Sequence, residues 1–167
     1  ENNWLLEGRT VLIFKGGDRK DPANYRPITC LPTITKMVTL AIHKRMQRYL
    51  FGNGERSILE LDQRGVRTSQ GCTEAVIENV ASNTVKKRDK KEVVELYYDF
   101  QKAYDNVNHA FLEELLKEYG FPYGIQMLIV QMMARWKIRL SYGTKKEVGE
   151  VRLENGIIQG DAFSPLL

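Results

Sequence analysis

The sequence predicts a mixed α/β domain of the α+β kind, and two observations carry that prediction. Short β-branched and aromatic runs such as TVLIF (10–14) and VVELYY (93–98) stand apart from stretches whose apolar residues recur at helical spacing. The strands are also too scattered among the helices to form a doubly wound parallel sheet.

The elements follow in order. TVLIF is a strand, and KGGDRKDPANYRP (15–27) after it is a loop rich in turn formers. A helix runs from Pro32 or Thr33 to Leu50, with Ile34, Met37, Val38, Ala41, Ile42, Met46 and Tyr49 on its inward face. Lys36, His43, Lys44, Gln47 and Arg48 fall mostly on the other face, and FGNGERS (51–57) ends the helix. A loop leads to QRGVRTSQGCTE (63–74), then a helix over 72–88 turns Ala75, Val76, Ile77, Val80 and Val85 inward. Residues 92–98 form a strand, and helices near 109–119 and 123–135 are split by YGFPYG. Met127, Met132 and Met133 on the second of these are core residues. KIRLSYG and KEVGEVRLENG make a β-hairpin closed around Gly143 and Lys145. GIIQGDAFSPLL (156–167) begins as an apolar turn and enters a helix at Ser164–Pro165.

The bulk composition sets limits. A chain of 167 residues suffices for one domain with a real core or two small subdomains. Its 43% hydrophobic and 28% charged residues exclude a disordered chain. The net charge of +4 is too mild to imply a polyanionic partner by itself. Its distribution says more: Lys36, Lys44, Arg45 and Arg48 lie in an acid-free stretch, and residues 86–91 read KKRDKK, although an ordinary solvated face explains such runs equally well. Cys30 and Cys72 have no metal-ligand spacing and read as reduced, buried thiols of an intracellular protein. The apolar stretch FPYGIQMLIVQMMA is too short to span a bilayer, so no membrane partner is expected. With no initiator Met and a stop within SPLL, the chain reads as a piece of something longer.

Four stretches could carry chemistry. Lys15 and Arg26 stand at the two bases of a Gly-containing loop, where backbone can approach phosphates and the two cations can grip their oxygens. Asp99 in YYDFQKAYDN sits where a strand meets a turn, a place where a carboxylate can hold Mg²⁺ beside a phosphate. A lone Asp in such a place is more often a cap or a surface turn residue. Gln159 in GIIQGDAFSP combines a donor and an acceptor beside a Gly that permits close approach, and the basic helix can follow a nucleic-acid backbone.

Together these stretches resemble the reverse transcriptases of non-long-terminal-repeat retrotransposons. GRTVLIFKGGDRKDPANYRPITCLPTITKMVTLAIHKRMQRYL is similar to their first conserved block, DQRGVRTSQGCTEAV to the second, YYDFQKAYDNVNHAFL to the third and NGIIQGDAFSPLL to the fourth. The match covers almost the whole chain, in order. The resemblance implies a right-hand polymerase fragment: fingers over 1–91, the first part of the palm over 92–120, fingers again over 121–158, and the start of the second palm part over 159–167.

The implied roles follow residue by residue. Asp99 matches the first catalytic carboxylate, which holds two metal ions about 3.5–4 Å apart, and the Phe100 carbonyl adds a main-chain ligand. Tyr104 matches the bulky residue that excludes a 2′-hydroxyl, with Lys102 and Ala103 beside it in the nucleotide site. Lys15 and Arg26 match the residues that grip the triphosphate, and Gln159 and Gly160 those that shape the nucleotide pocket. Gln63, Gly65 and Arg67 lie in the block that touches the template, with Val66 where the family more often has an aromatic. Lys36, Lys44, Arg45 and Arg48 would contact the nucleic-acid backbone. Asp105 is read as a structural cap near the helix start at Asn108, and Asp161, at a variable family position, as polar loop. His43 and His109 are given no chemistry.

The implied activity is RNA-directed DNA synthesis from dNTPs with Mg²⁺, or Mn²⁺ in its place. The implied partners are an RNA template, a DNA primer and their hybrid, and the rest of a retroelement protein with its thumb and an endonuclease. The expected location is nuclear, reached through the cytoplasm. Further metal carboxylates are expected from a YxDD-type hairpin beyond Leu167, so residues 1–167 alone are expected to be inactive. A viral-type RNA-dependent RNA polymerase fits less well, because Tyr104 stands where that class reads the ribose hydroxyl. A group II intron-encoded reverse transcriptase or maturase, and a non-catalytic RNA-binding scaffold of the same fold, remain as alternatives.

Overall fold

The computed structural model describes residues 4–52, 57–60, 62–67, 71–142 and 146–167. The chain divides into two compact units. One comprises essentially residues 1–43 and 102–165, the other residues 44–101.

The first unit is built on a four-stranded mixed sheet in the order β2-β1-β3-β4. Strands β1 (Glu7–Phe14) and β2 (Tyr25–Cys30) form an antiparallel hairpin, with Phe14 opposite Tyr25 and Ile13 opposite Arg26. β1 runs parallel to β3 (Lys137–Tyr142), which returns antiparallel into β4 (Lys146–Arg152). The second hairpin is as the sequence predicts; its turn at Gly143 and Lys145 lies outside the described residues. β2 is a finding, because its sequence reads as loop. Pro27 cannot donate to a ladder, but β2 is an edge strand, where that is tolerated. Between β1 and β2, the buried hydroxyls of Thr10 and Thr29 pair at 2.8 Å.

Helices α3 (His109–Glu118) and α4 (Tyr123–Arg135) pack on each other and carry Leu112, Leu116, Ile129, Met132 and Met133 into the core, with Met127 half-buried. Trp136 and Phe163 complete that core, both at 0% exposure. Asn108 caps α3, its side chain accepting from Phe111 N at 3.1 Å. The cap is therefore not Asp105, which lies exposed in the preceding turn.

The long helix α1 (Thr33–Phe51) starts where predicted but is rotated. Its buried stripe is Thr35, Thr39, Ile42, Met46 and Leu50, whereas Ile34, Val38 and Ala41 are exposed and Met37 is 67% exposed. The physical reason is that the two threonines find hydrogen-bond acceptors: Thr35 Oγ1 donates to Leu5 O and Thr39 Oγ1 to Asp161. A satisfied hydroxyl can be buried in place of a hydrocarbon.

In the second unit, α2 (Cys72–Arg88) has the predicted span but buries no residue. Val76, Ile77, Val80 and Val85 are exposed, not inward. Residues 92–98 form no strand either, with Val94 at 86% and Tyr98 at 85% exposure. A strand is held by ladder bonds to a neighbour, and among the described residues no strand lies beside this run. It is tied instead by side chains, Asn83 donating to Glu95 and Tyr97 Oη to Glu95 Oε2 at 2.5 Å. Those two bonds hold the Glu95 carboxyl below the usual carboxylate range. Cys30 and Cys72 are free, as expected, but exposed rather than buried. No helix among the described residues is long and apolar enough to cross a membrane.

Candidate functional site

The loop between β1 and β2 is shaped by its own contacts. Gly16 and Gly17 take positive φ, of 130° and 92°, which lets the chain leave β1 sharply. Lys15 N donates to Asn24 O at 2.8 Å, Asn24 Nδ2 to Asp18 O at 2.9 Å, and Tyr25 Oη to Arg19 O at 2.9 Å. The Arg19 guanidinium lies 5.3 Å from the Phe14 ring centre. Lys15 and Arg26 thus stand at the loop end of one hairpin, both exposed, with Arg26 opposite Ile13 in register.

The segment 156–164 lies against this hairpin's second strand. Thr29 N donates to Gln159 O at 2.8 Å, and Gly160 has φ +116°. A Cβ at Gly160 would stand 2.6 Å from Thr29 O, so no other residue fits there without displacing backbone. Gln159 is half-buried here, bonded through its carbonyl to Thr29, which lies three residues along β2 from Arg26.

The same segment braces the Tyr104 turn. Ile157 N donates to Tyr104 O and Gly156 N to Val107 O, both at 2.8 Å. His109 Nε2 lies 2.7 Å from Gly156 O, and its ring meets Trp136 edge-on. Tyr104 is half-buried, while Lys102 and Ala103 beside it are exposed, Lys102 at φ 50°. One unit therefore brings Lys15, Arg26, Tyr104, Gln159 and Gly160 into a single hydrogen-bonded framework.

Asp161 differs from the polar loop residue that the sequence suggests. It is 4% exposed, and its Oδ1 accepts from Thr39 Oγ1 at 2.6 Å. Burial raises its pKa above the ordinary 3.8, against the pull of Thr39, the amides of Ala162 and Phe163, and the charge of half-buried Lys36. Oδ2 of Asp161 and Oγ of Ser164 are buried without a hydrogen-bond partner among the described residues. Sequence reasoning missed Thr29, Thr39, Gly156 and the burial of Asp161. The signal for Thr39 was the 4-3-4-4 spacing of Thr35, Thr39, Ile42, Met46 and Leu50.

Asp99 belongs to the other unit, exposed with Phe100 in a run without regular secondary structure. Among the described residues no three of His, Cys, Asp or Glu gather to hold an ion. Asp99 is a hard oxygen donor of the right class for Mg²⁺, but one carboxylate does not make a site. In the same unit Arg67 is held in place, over the Phe51 ring at 4.6 Å and donating to Gln63 O at 3.1 Å and Glu60 O at 3.0 Å. Gln47 Nε2 donates to Val66 O, and Gly65 lies between Gln63 and Val66. Lys44, Arg45 and Arg48 are exposed together along α1.

With that geometry in view, comparisons with known proteins agree among themselves. A family model described as reverse transcriptase (RNA-dependent DNA polymerase) matches residues 15–167. The chain is 26% identical over 95% of its length to the retrovirus-related Pol polyprotein from the type-1 retrotransposable element R2 of Popillia japonica. It is 29% identical over 97% to the corresponding R2 polyprotein of Nasonia vitripennis. It is also 27% identical over 98% to the probable RNA-directed DNA polymerase from transposon X-element of Drosophila melanogaster. The chain spans 21%, 15% and 18% of the lengths of these three relatives.

Proposed function

Because the chain belongs to the reverse transcriptase (RNA-dependent DNA polymerase) family, we propose that it supplies the nucleotide-binding part of a retrotransposon polymerase that copies RNA into DNA. The supporting observation is the hydrogen-bonded framework that holds the Lys15–Arg26 hairpin, the Gln159–Gly160 turn and the Tyr104 turn in one unit. In this reading Lys15 and the Arg26 fork hold triphosphate oxygens. Tyr104 closes the space a 2′-hydroxyl would need, and Gln159 borders the base and sugar. Lys44, Arg45 and Arg48 follow the phosphates of the template–primer hybrid. Reverse transcriptases use a divalent metal ion and deoxynucleoside triphosphates; we assign Mg²⁺ here, with Asp99 as one of its carboxylates.

The test is primer extension on an RNA template by the full-length polymerase that contains this chain. Arg26→Ala is expected to raise the KM for dNTP by roughly 10- to 100-fold, the loss of one charged hydrogen bond, with template–primer affinity nearly unchanged. Absence of extension by the unmutated protein overturns the polymerase reading. Collapse of nucleic-acid binding with a normal dNTP dependence makes Arg26 a template contact instead.

A further inference from the structure

We infer that Asp161 and Thr39 are a positioning pair that fixes the Gln159–Gly160 turn for the incoming nucleotide, an inference that rests on the nucleotide-site reading above. The turn is pinned on both sides of Gly160. On the strand side, Gln159 O accepts from Thr29 N at 2.8 Å, and Gly160 lies so close to Thr29 O that a Cβ would stand 2.6 Å away. On the helix side, the residue after Gly160 hands its carboxylate to Thr39 at 2.6 Å, 122 positions away in sequence. Gln159 therefore has one anchor at its own carbonyl and another two residues on, and its side chain leaves the backbone from between them.

A buried carboxylate with one oxygen unpartnered is costly. An apolar residue in the same pocket, facing Val in place of Thr39, would remove both side-chain polar groups and leave only the Ala162 and Phe163 amides to find another acceptor. What the pair provides is a short, directional tie between α1 and the loop that carries Gln159. Thr39 is suited to that tie because it lies in the buried stripe of α1, its χ1 stiffened by β-branching. Neither residue is placed to touch nucleotide, so both act through Gln159.

The experiment uses the full-length polymerase and two kinds of variant. Thr39→Val removes the hydroxyl donor at constant shape but leaves the carboxylate buried with the Ala162 and Phe163 amides alone; the double variant Thr39→Val/Asp161→Ala removes both side-chain polar groups and so guards against loss of folding. The expected result for each is a rise of about tenfold in the KM for dNTP, with kcat and template–primer affinity within about twofold of wild type. Asp161→Asn and Thr39→Ser, which keep the acceptor and the donor, are expected to stay near wild type. Wild-type dNTP KM in the double variant overturns the inference, and so does a parallel loss of KM, kcat and template affinity, which marks general damage. If the unmutated protein does not extend a primer, the polymerase reading fails by itself. The tie is then decided by amide hydrogen exchange at Thr29, whose N–H is bonded to Gln159 O. Exchange at least tenfold faster in the double variant supports the tie, and unchanged exchange overturns it.

Discussion

The two compact units treat similar apolar sequences in opposite ways. In the unit with the sheet, α3 and α4 bury their apolar stripes and Trp136 and Phe163 are sealed off. In residues 44–101, α2 buries nothing, VVELYY lies exposed, and the buried apolar side chains among the described residues are Met46 and Leu50. The contrast teaches that an apolar stripe is a demand for a partner and does not itself supply one. Strands β1 and β3 meet that demand for each other across the chain. Residues 92–98, with equal β-forming character, have no strand beside them among the described residues and stay without ladder bonds.

The largest expected effect tests this contrast directly. Trp136→Ala should destabilise the protein by about 3–5 kcal/mol, the cost of emptying a closed aromatic site. Ile77→Ala, at a side chain 61% exposed on α2, should cost less than about 0.5 kcal/mol. Chemical denaturation of the two variants provides the measurement. A loss of about 2 kcal/mol or more for Ile77→Ala would mean that the α2 face is covered in the working protein, and the contrast between the units would fall.

This contrast also marks what the sequence could reveal. The spans of α2, α3 and α4 were legible because helices are local, their bonds four residues apart. The β3–β4 hairpin was legible for the same reason. The parallel pairing of β1 with β3 joins residues about 130 apart, as with Glu7 and Lys137, and no local pattern announces it. The face of α1 was misread because hydrophobicity was taken as the signal for burial. Thr35 and Thr39 are buried by acceptors on Leu5 and Asp161, which lie far off in sequence. The turn chemistry between Lys15 and Arg26 was legible as a loop with the two cations at its bases, but the strand that carries Arg26 was not, because Pro27 and the flanking polar residues read as loop. The burial of Asp161 depended on a partner helix, and a lone Asp in a Gly-containing loop reads as solvent-facing by default.

A middle-sized effect probes backbone approach in the two units. Gly156 has φ +83°, and a Cβ there would meet Tyr104 O at 2.9 Å and Asp105 Cα at 3.1 Å. Gly156→Ala should cost about 1–3 kcal/mol through strain and forced separation of the segment from the Tyr104 turn. Gly71, the N-cap of α2, has extended backbone, and a Cβ there comes no nearer than 3.7 Å to Glu74 Oε2. Gly71→Ala should cost under about 1 kcal/mol, the loss of a tolerated cap. Equal costs in thermal or denaturant unfolding would show that the sheet-bearing unit is not the more tightly fitted one at its backbone.

The smallest effect concerns ion pairs, which both units have. Arg64 Nη2 meets Glu78 Oε2 at 2.5 Å in one, and Arg139 Nη2 meets Glu7 Oε2 at the same distance in the other. Glu78 is 60% exposed at its side chain, so solvent screens the first pair and the long side chains lose entropy in forming it. Arg64→Met should therefore cost about 0.2–1 kcal/mol at low ionic strength and less as salt is added, because the Debye length shortens to about 3 Å at 1 M. Arg139→Met should fall in the same range, since its side chain is 42% exposed and Glu150 is also near, at 3.7 Å. If the two losses match, ion pairing does not distinguish the units and packing does. If Arg64→Met costs about 2 kcal/mol or more and salt leaves that unchanged, residues 44–101 are held by a desolvated charge pair in place of a core, and the weaker packing of that unit would no longer imply weaker stability.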